Sequence, residues 1–294
     1  MVKKTITILM STYNGEQYIE EQLDSIQKQC GLENFDVNIV IRDDGSKDKT
    51  LEKINKYTGK LNIETIYGRN VGAKQSFYEL LKRDIQSDYY AFCDQDDIWN
   101  DEKLSHAIKM LEQGPGLYFS NVECISGDGK DLNRRLLSDN FELSLRRIFM
   151  CNPAIGTTMV WNHQLNEILL KYIDIYDKFT MHDEYTITIA YLLGKVIYDP
   201  EVSMKYRIHN NNVTVSNDLR SKIKITKEIW FGRKEQSLDK RCNALIEKGI
   251  MNPVINEMAN YKIGINRINL LKKYYCEDKG IERSYKLRMI LGIL

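Results

Sequence analysis

The chain has 294 residues, 43% of them hydrophobic and 28% charged, with a formal net charge of +1. That balance suits a globular protein with a sizeable core and excludes a disordered or fibrous chain. Six scattered cysteines (Cys30, Cys93, Cys124, Cys151, Cys242, Cys276) form no CxxC pair, which argues against a zinc site or a disulfide framework and points to a reducing compartment.

The N-terminus runs straight into a strand pattern, Thr5 to Met10, so no signal peptide is expected. Ile19, Leu23, Ile26 and Cys30 then recur at helical spacing. Val37–Ile41 reads as a strand, Leu51 and Ile54 as a helix ending near Gly59, and Ile63–Tyr67 as a third strand. Ala73, Phe77, Leu80 and Leu81 form a helical stripe, Tyr89–Cys93 a fourth strand, and Leu104, Ala107, Ile108 and Leu111 a further helix. Leu117–Val122 is strand-like. Such alternation predicts βαβ units, an α/β class with a mostly parallel sheet flanked by helices. Ligands bind outside the carboxyl ends of such strands. Polar clusters lie there: Ser11 to Asn14, Asp43 to Ser46, Gly68 to Asn70, and Asp94 to Asp97.

Beyond residue 123 the pattern loosens. Thr157–Trp161, Lys195–Asp199 and Ser203–Ile208 read as strands and Asp183–Leu193 as a helix. After Val215 only helical periodicity remains, with Asn252–Tyr275 the longest candidate. The expected domains are 1–215 and a helical extension, 216–294. No stretch approaches the roughly 18 apolar residues of a membrane span.

The densest chemistry is Asp94-Gln95-Asp96-Asp97-Ile98-Trp99. Clustered acids at the end of a buried strand are costly unless a cation or hydrogen-bond donors meet them. Oxygen ligands suit a hard divalent ion, which shares its shell with substrate phosphates. A solvated loop capping the next helix is the plainer alternative. Asp43-Asp44-Gly45-Ser46 has the residues of a turn with a helix cap, yet two adjacent acids exceed what a cap needs. A strand-end carboxylate can also accept the imide N–H of uracil or thymine. Neither a Walker A sequence nor GxGxxG occurs, which speaks against a P-loop or a dinucleotide fold.

Six motifs occur in order: Ser11-Thr12-Tyr13-Asn14-Gly15-Glu16, Asp43-Asp44-Gly45-Ser46, Asn70-Val71-Gly72, Asp94 to Trp99, Met181-His182-Asp183, and Tyr206-Arg207-Ile208-His209. Together they resemble the inverting family 2 glycosyltransferases of the GT-A fold, above all bacterial rhamnosyltransferases that build cell-wall or capsular polysaccharide. The resemblance covers about residues 5–215. It implies that Ser11, Thr12, Tyr13 and Glu16 line the nucleotide base and that Asp44 accepts from its imide. It places Lys74 near the base and phosphates, and Asp94, Gln95 and Arg207 on the donor. Asp96 and His209 are the implied ligands of Mg²⁺ or Mn²⁺. Asp183 is the implied base, with Trp99, Gly156, Thr157 and His182 on the acceptor side. Acidic Glu184, where many relatives carry an aromatic residue, leaves the choice of base between it and Asp183.

Inverting transfer itself asks for one carboxylate, separate from the metal cluster, to take a hydroxyl proton. Asp183 is remote in sequence from Asp96 and meets that condition; a helix N-cap is its plainer role. A phosphatase with an aspartate nucleophile is disfavoured, because its DxD follows the first strand. A non-catalytic sugar-nucleotide binder remains a rival. The resemblance implies a nucleotide diphosphate sugar donor, dTDP-L-rhamnose before UDP-sugars, and a polyprenyl-linked oligosaccharide acceptor at the cytoplasmic face of the membrane. No nucleic-acid partner is expected, and a homodimer is left open.

Charge is unevenly spread. Residues 219–294 hold 17 Lys/Arg and 8 Asp/Glu, net +9, leaving −8 for residues 1–218. A basic tail on an acidic body faces either that body or something anionic. Tyr285, Leu287, Met289, Ile290, Leu291, Ile293 and Leu294, set among Arg283, Lys286 and Arg288, suit peripheral attachment to anionic lipid, where each basic residue contributes about 1 kcal/mol. Deleting Glu282–Leu294 is expected to lower cosedimentation with anionic liposomes and to spare transfer to a soluble acceptor. Undiminished liposome binding, or an unfolded catalytic domain, would make the tail structural.

Overall fold

The structure, a computed structural model, describes residues 3–111, 114–138, 140–209 and 238–259, the side chains of Met150 and Cys151 apart. The elements in chain order are β1 (Lys4–Thr12), α1 (Ile19–Gln27), β2 (Phe35–Asp43), α2 (Thr50–Asn55), β3 (Asn62–Tyr67), α3 (Ala73–Lys82), β4 (Tyr89–Cys93) and β5 (Ile98–Trp99). There follow α4 (Lys103–Met110), β6 (Gly116–Ser126), β7 (Asp131–Arg135), α5 (Leu145–Cys151), β8 (Val160–Asn162), α6 (His163–Lys171), α7 (His182–Leu193), β9 (Lys195–Ile208), α8 (Leu238–Glu247) and α9 (Pro253–Ala259).

Two compact units emerge. The first comprises Met1–Glu142, Ala154–Ile173 and Met181–His209; the second takes Leu143–Pro153, Asp174–Thr180 and the rest of the chain from Asn210. The boundary expected near residue 215 and the basic tail at 282–294 lie outside the described residues. In the second unit, Arg146 Nη2 pairs with Glu257 Oε2 at 3.0 Å, tying α5 to α9. Leu238, Cys242 and Leu245 bury one stripe of α8, and Ile255 and Met258 one face of α9.

The first unit is built on a nine-stranded sheet of order β3-β2-β1-β4-β8-β6-β9-β5, with β7 paired to β6. The β1–β2, β2–β3, β1–β4 and β6–β9 pairings are parallel. Strands β8, β5 and β7 pair antiparallel with their neighbours, so the sheet is mixed rather than mostly parallel. Strand β1 is central, and Ile6, Ile8 and Met10 are fully buried together with Leu9. Continuous burial explains why these strands read as apolar runs without alternation.

Register positions the site. Thr12 lies beside Asp43 and Asp43 beside Tyr67, while Met10 lies beside Cys93. Strands β1 to β4 therefore end side by side, and the four polar loops that follow them share one edge of the sheet.

Two segments differ from the sequence expectation. Gly156–Thr158 is a 3₁₀ turn that precedes a short β8. Residues 195–208 form one strand, not two. Asp199 pairs with Ser120 and Val202 with Asn121, so Pro200 and Glu201 bulge out of the ladder. Asp199 Oδ1 accepts the Glu201 amide at 2.9 Å, which holds the bulge; proline has no N–H to give the ladder.

Candidate active site

The loops after β1 and β2 are laced to each other. The Asn14 amide donates to Ser46 Oγ and the Lys47 amide to Asn14 Oδ1, both at 2.9 Å. The Glu16 amide donates to Asp48 Oδ2, and the Lys49 amide returns a bond to Glu16 Oε2, each at 3.0 Å. Asp43 builds its own turn by accepting the Gly45 and Ser46 amides, the Ser46 hydroxyl and the Thr12 hydroxyl. Gly45 sits at φ +85°, where a side chain would be strained.

Asp44 is 2% exposed. Its carboxylate accepts Arg42 Nη1 at 2.6 Å, the Val71 amide on both oxygens and the Gly72 amide at 2.8 Å. Those bonds use the acceptor capacity of a carboxylate, so a base imide would have to take one of these places. Arg42 also donates to Ser76 Oγ, which accepts Ser11 Oγ at 2.6 Å. Tyr13 stands exposed on the same edge. Lys74 is the second residue of α3 and is half-exposed.

The acid loop is fixed from two sides. Gln95 Oε1 accepts the Tyr13 amide and Gln95 Nε2 donates to the Tyr13 carbonyl, at 2.9 and 3.1 Å. From the other side comes Arg207, 1% exposed. Its amide donates to Asp97 Oδ1 at 3.0 Å and its Nε to the Asp96 carbonyl at 2.8 Å. Its Nη2 reaches Glu21 Oε2 at 2.5 Å, and the guanidinium lies over the Tyr18 ring at 4.6 Å. Two residues on, His209 Nε2 meets Asp96 Oδ2 at 2.7 Å, its ring stacked on Tyr18.

Asp94 keeps part of its surface open. Burial first, then the charges of Asp96 and Asp183, push its pKa up to about 8. Asp183 therefore lies within electrostatic reach of the acid loop. Asp97 is fully buried, and burial with the Asp96 and Asp94 charges raises its pKa well above the carboxylate range.

Asp183 is the second residue of α7 and stays partly exposed; its Oδ1 accepts the Glu184 amide at 2.6 Å. Glu184 is buried. Burial separates the two candidate bases and favours Asp183. His182 is 3% exposed, stacked on Phe77 at 3.8 Å and edge-on to Phe92 at 4.6 Å. Neither ring nitrogen has a hydrogen-bond partner, and burial lowers its pKa to about 3. A Cβ on Gly156 would overlap His182 Nε2, so glycine makes room for the imidazole.

The structure thus brings together Ser11, Tyr13, Lys74, Asp94, Asp96, Asp183 and His209 along one edge of the sheet. The other expected site residues are placed as follows. Trp99, Gly156, Thr157 and His182 are buried. The Thr12 hydroxyl is buried on Asp43, and Glu16 holds the start of α2. Gln95 and Arg207 brace the acid loop. Sequence reasoning passed over Arg42 and Lys103. The signal for Arg42 was a cation inside an apolar strand. For Lys103 it was the position four residues before Ala107, on the buried stripe of α4.

Among the described residues no group of three or more His, Cys, Asp or Glu could hold a metal alone. Asp96 Oδ2 and His209 Nε2, 2.7 Å apart, are spaced much as neighbouring ligands of an octahedral ion, about 3 Å for bonds of about 2.1 Å. The pair fits a divalent ion whose other positions go to water and diphosphate oxygens.

Residues 7–174 match the model of the family described as glycosyl transferase family 2. The chain belongs to that family. It is a glycosyltransferase of GT-A-like fold. It is 31% identical to a dTDP-rhamnosyl transferase, RfbG, of Shigella flexneri over 96% of this chain and 99% of that one. The fold is similar to TarS residues 1–349 of S. aureus in complex with UDP, with a TM-score of 0.60, 18% identity, and 98% and 80% of the two chains covered. It is also similar to the mannosyltransferase PcManGT of Pyrobaculum calidifontis in complex with GDP-Man and Mn²⁺, with a TM-score of 0.56, 15% identity, and 99% and 84% covered. Among the described residues of this glycosyltransferase no helix is long and apolar enough to cross a membrane.

The buried histidine sets a pH dependence. The unfolded imidazole titrates near 6.5 and the folded one near 3. Between those values the unfolded chain binds the proton and the folded chain does not, so stability is present above pH 6.5 and is lost as pH falls. From pH 7 to pH 5 this contributes a loss of about 2 kcal/mol. Urea melts should show that loss reduced in His182→Leu relative to wild type; an unchanged pH slope would remove His182 as its source.

Proposed function

We propose that this glycosyltransferase moves L-rhamnose from dTDP-L-rhamnose, with inversion, to a hydroxyl of a polyprenyl-linked precursor of a cell-surface polysaccharide. The donor assignment is supported by the full-length similarity to a dTDP-rhamnosyl transferase. The observation that carries the reaction type is the Asp96–His209 pair at the strand ends, with partly exposed Asp183 at the start of α7 as the separate carboxylate.

In this reading Tyr13 and Ser11 border the base, with Asp44 and the 70–72 turn closing the slot beneath it. Lys74 and Asp94 border the donor's ribose and phosphates. Asp183 takes the proton of the acceptor hydroxyl as that oxygen bonds to the anomeric carbon. The bond from that carbon to the β-phosphate oxygen breaks, and dTDP leaves with the electron pair. Asp96 and His209 would hold Mg²⁺ or Mn²⁺, which neutralises charge on the leaving diphosphate. The work of Arg207 is to hold Asp96 and His209 against each other. Attachment to the inner face of the plasma membrane belongs to the same proposal and rests on the basic tail.

The test is turnover with dTDP-L-rhamnose and UDP-sugars, read by nucleoside diphosphate release, on the wild type, Asp183→Asn and Asp96→Ala. Asp183→Asn should bind donor within a few-fold of wild type and transfer roughly 10²–10⁴ slower. Asp96→Ala should lose both transfer and the metal-dependent gain in nucleotide affinity. An active Asp183→Asn beside a dead Glu184→Gln would move the base by one residue. Turnover with UDP-sugars alone would overturn the donor.

A further inference from the structure

Arg42 sits in β2, a strand whose last five residues, Ile39 to Asp43, are all buried. An arginine there keeps its charge only if its donors are met. Its register neighbours are Ser11 of β1 and Ile66 of β3, so it lies just inside the edge where the polar loops begin. Nη1 carries two hydrogens. One goes to Asp44 Oδ1 at 2.6 Å and the other to Ser76 Oγ at 3.1 Å. Nη2 is 3.5 Å from the Arg69 carbonyl. Gly68 leaves room for it, because a Cβ there would stand 2.6 Å from Nη2.

One planar group therefore reaches the loops after β2 and β3 and the first turn of α3. Through the Ser11–Ser76 hydrogen bond it reaches the end of β1 as well. The single point charge of a lysine could not make this set of contacts.

The bonds on Asp44 are not equal. The one from Arg42 joins two opposite charges in a buried place, where their attraction is weakly screened. The Val71 amide is a neutral donor split between both oxygens, at 2.9 and 3.0 Å. A base imide that approaches this carboxylate displaces the shared amide, not the guanidinium.

We propose that Arg42 is a positioning residue of the base slot and sets its preference for thymine: its guanidinium fixes the Asp44 carboxylate in the orientation that accepts an imide N–H. Thymine carries that N–H at N3. Cytosine presents a bare N3, an acceptor that a carboxylate repels. Without the guanidinium, Asp44 is held by the 70–72 amides alone and Ser76 loses a donor. The carboxylate then turns toward water, and the slot no longer tells the two bases apart. The diphosphate end of the donor lies at Asp96 and His209, on other elements, and is spared.

The inference deepens the proposed function and rests on its placing of the base over Asp44. The experiment is calorimetric titration of dTDP and dCDP, in one Mn²⁺ buffer, into the full chain as wild type, Arg42→Met, Asp44→Asn and the double variant. The two nucleotides share sugar and diphosphate, so their ratio reads the base alone. Arg42→Met should weaken dTDP about tenfold or more and leave dCDP within about threefold of wild type. In turnover it should raise the donor KM and keep kcat within about threefold. In the Asp44→Asn background the same change should cost dTDP less than about threefold, because Arg42 acts through Asp44.

A merely structural role weakens both nucleotides alike. Equal weakening, undiminished dTDP binding or an additive cycle overturns the inference alone. A wild type that binds dTDP no better than dCDP overturns the placing of the base and the inference with it. If Arg42→Met does not fold, Gly68→Ala takes its place, since it crowds Nη2 and keeps the charge. It should lower the preference for dTDP about threefold or more, and a wild-type preference there overturns the inference.

Discussion

Arg207 and Asp97, 110 positions apart, hold the end of β9 against the loop after β4, and the geometry of the site depends on that junction. The guanidinium spans three elements at once: the Asp96 carbonyl, the Gly127 carbonyl and the Glu21 carboxylate. His209 follows on the same strand end and meets Asp96. If the junction opened, Asp96 and His209 would part. A buried charge stripped of its partner costs about 3–5 kcal/mol, so these contacts are made together or not at all. The parallel register of β1 to β4 supplies the other half of the site by ending four strands at one edge.

Charge balance is the second constraint. The charges of Asp96 and Asp183 act on Asp94 and those of Asp94 and Asp96 on Asp97, and burial makes the Asp94 and Asp97 charges expensive. The Arg207 amide meets Asp97 and the Arg207 Nε meets the Asp96 carbonyl, while His209 faces the outer carboxylate. Burial first, then the charges of Asp96 and Asp183, raises the Asp94 pKa to about 8. Cation binding favours the ionised form.

Much of this was legible in the sequence because its signals are local. Apolar runs marked β1 to β4, and the Asp-Gly and Asp-Gln-Asp-Asp clusters marked their ends. Ordered motifs tied Asp96, Asp183 and His209 to one chemistry. Spacing could not tell which polar side chains a fold would use up in building itself. Thr12, Glu16, Gln95 and Arg207 are of the types that contact ligands, yet each is engaged with a neighbouring loop. Trp99 and His182 lie next to chemically active residues, but strand and helix periodicity turns them inward. Residues 195–199 and 203–208 read as two strands, but the ladder with β6 resumes after a bulge at Pro200 and Glu201 that the Asp199 side chain holds. Lys103 shows the opposite error: it was passed over, although its place on the apolar stripe of α4 already put it inside.

A crystal structure of the full chain with dTDP and Mn²⁺, with the ion located by anomalous scattering, tests the central claim most directly. The account predicts one Mn²⁺ at the diphosphate, bound by the Asp96 carboxylate and the His209 imidazole, with Asp97 still beneath the loop on the Arg207 amide. Mn²⁺ held by other residues, or dTDP bound with His209 still hydrogen-bonded to Asp96 and no ion between them, would contradict it.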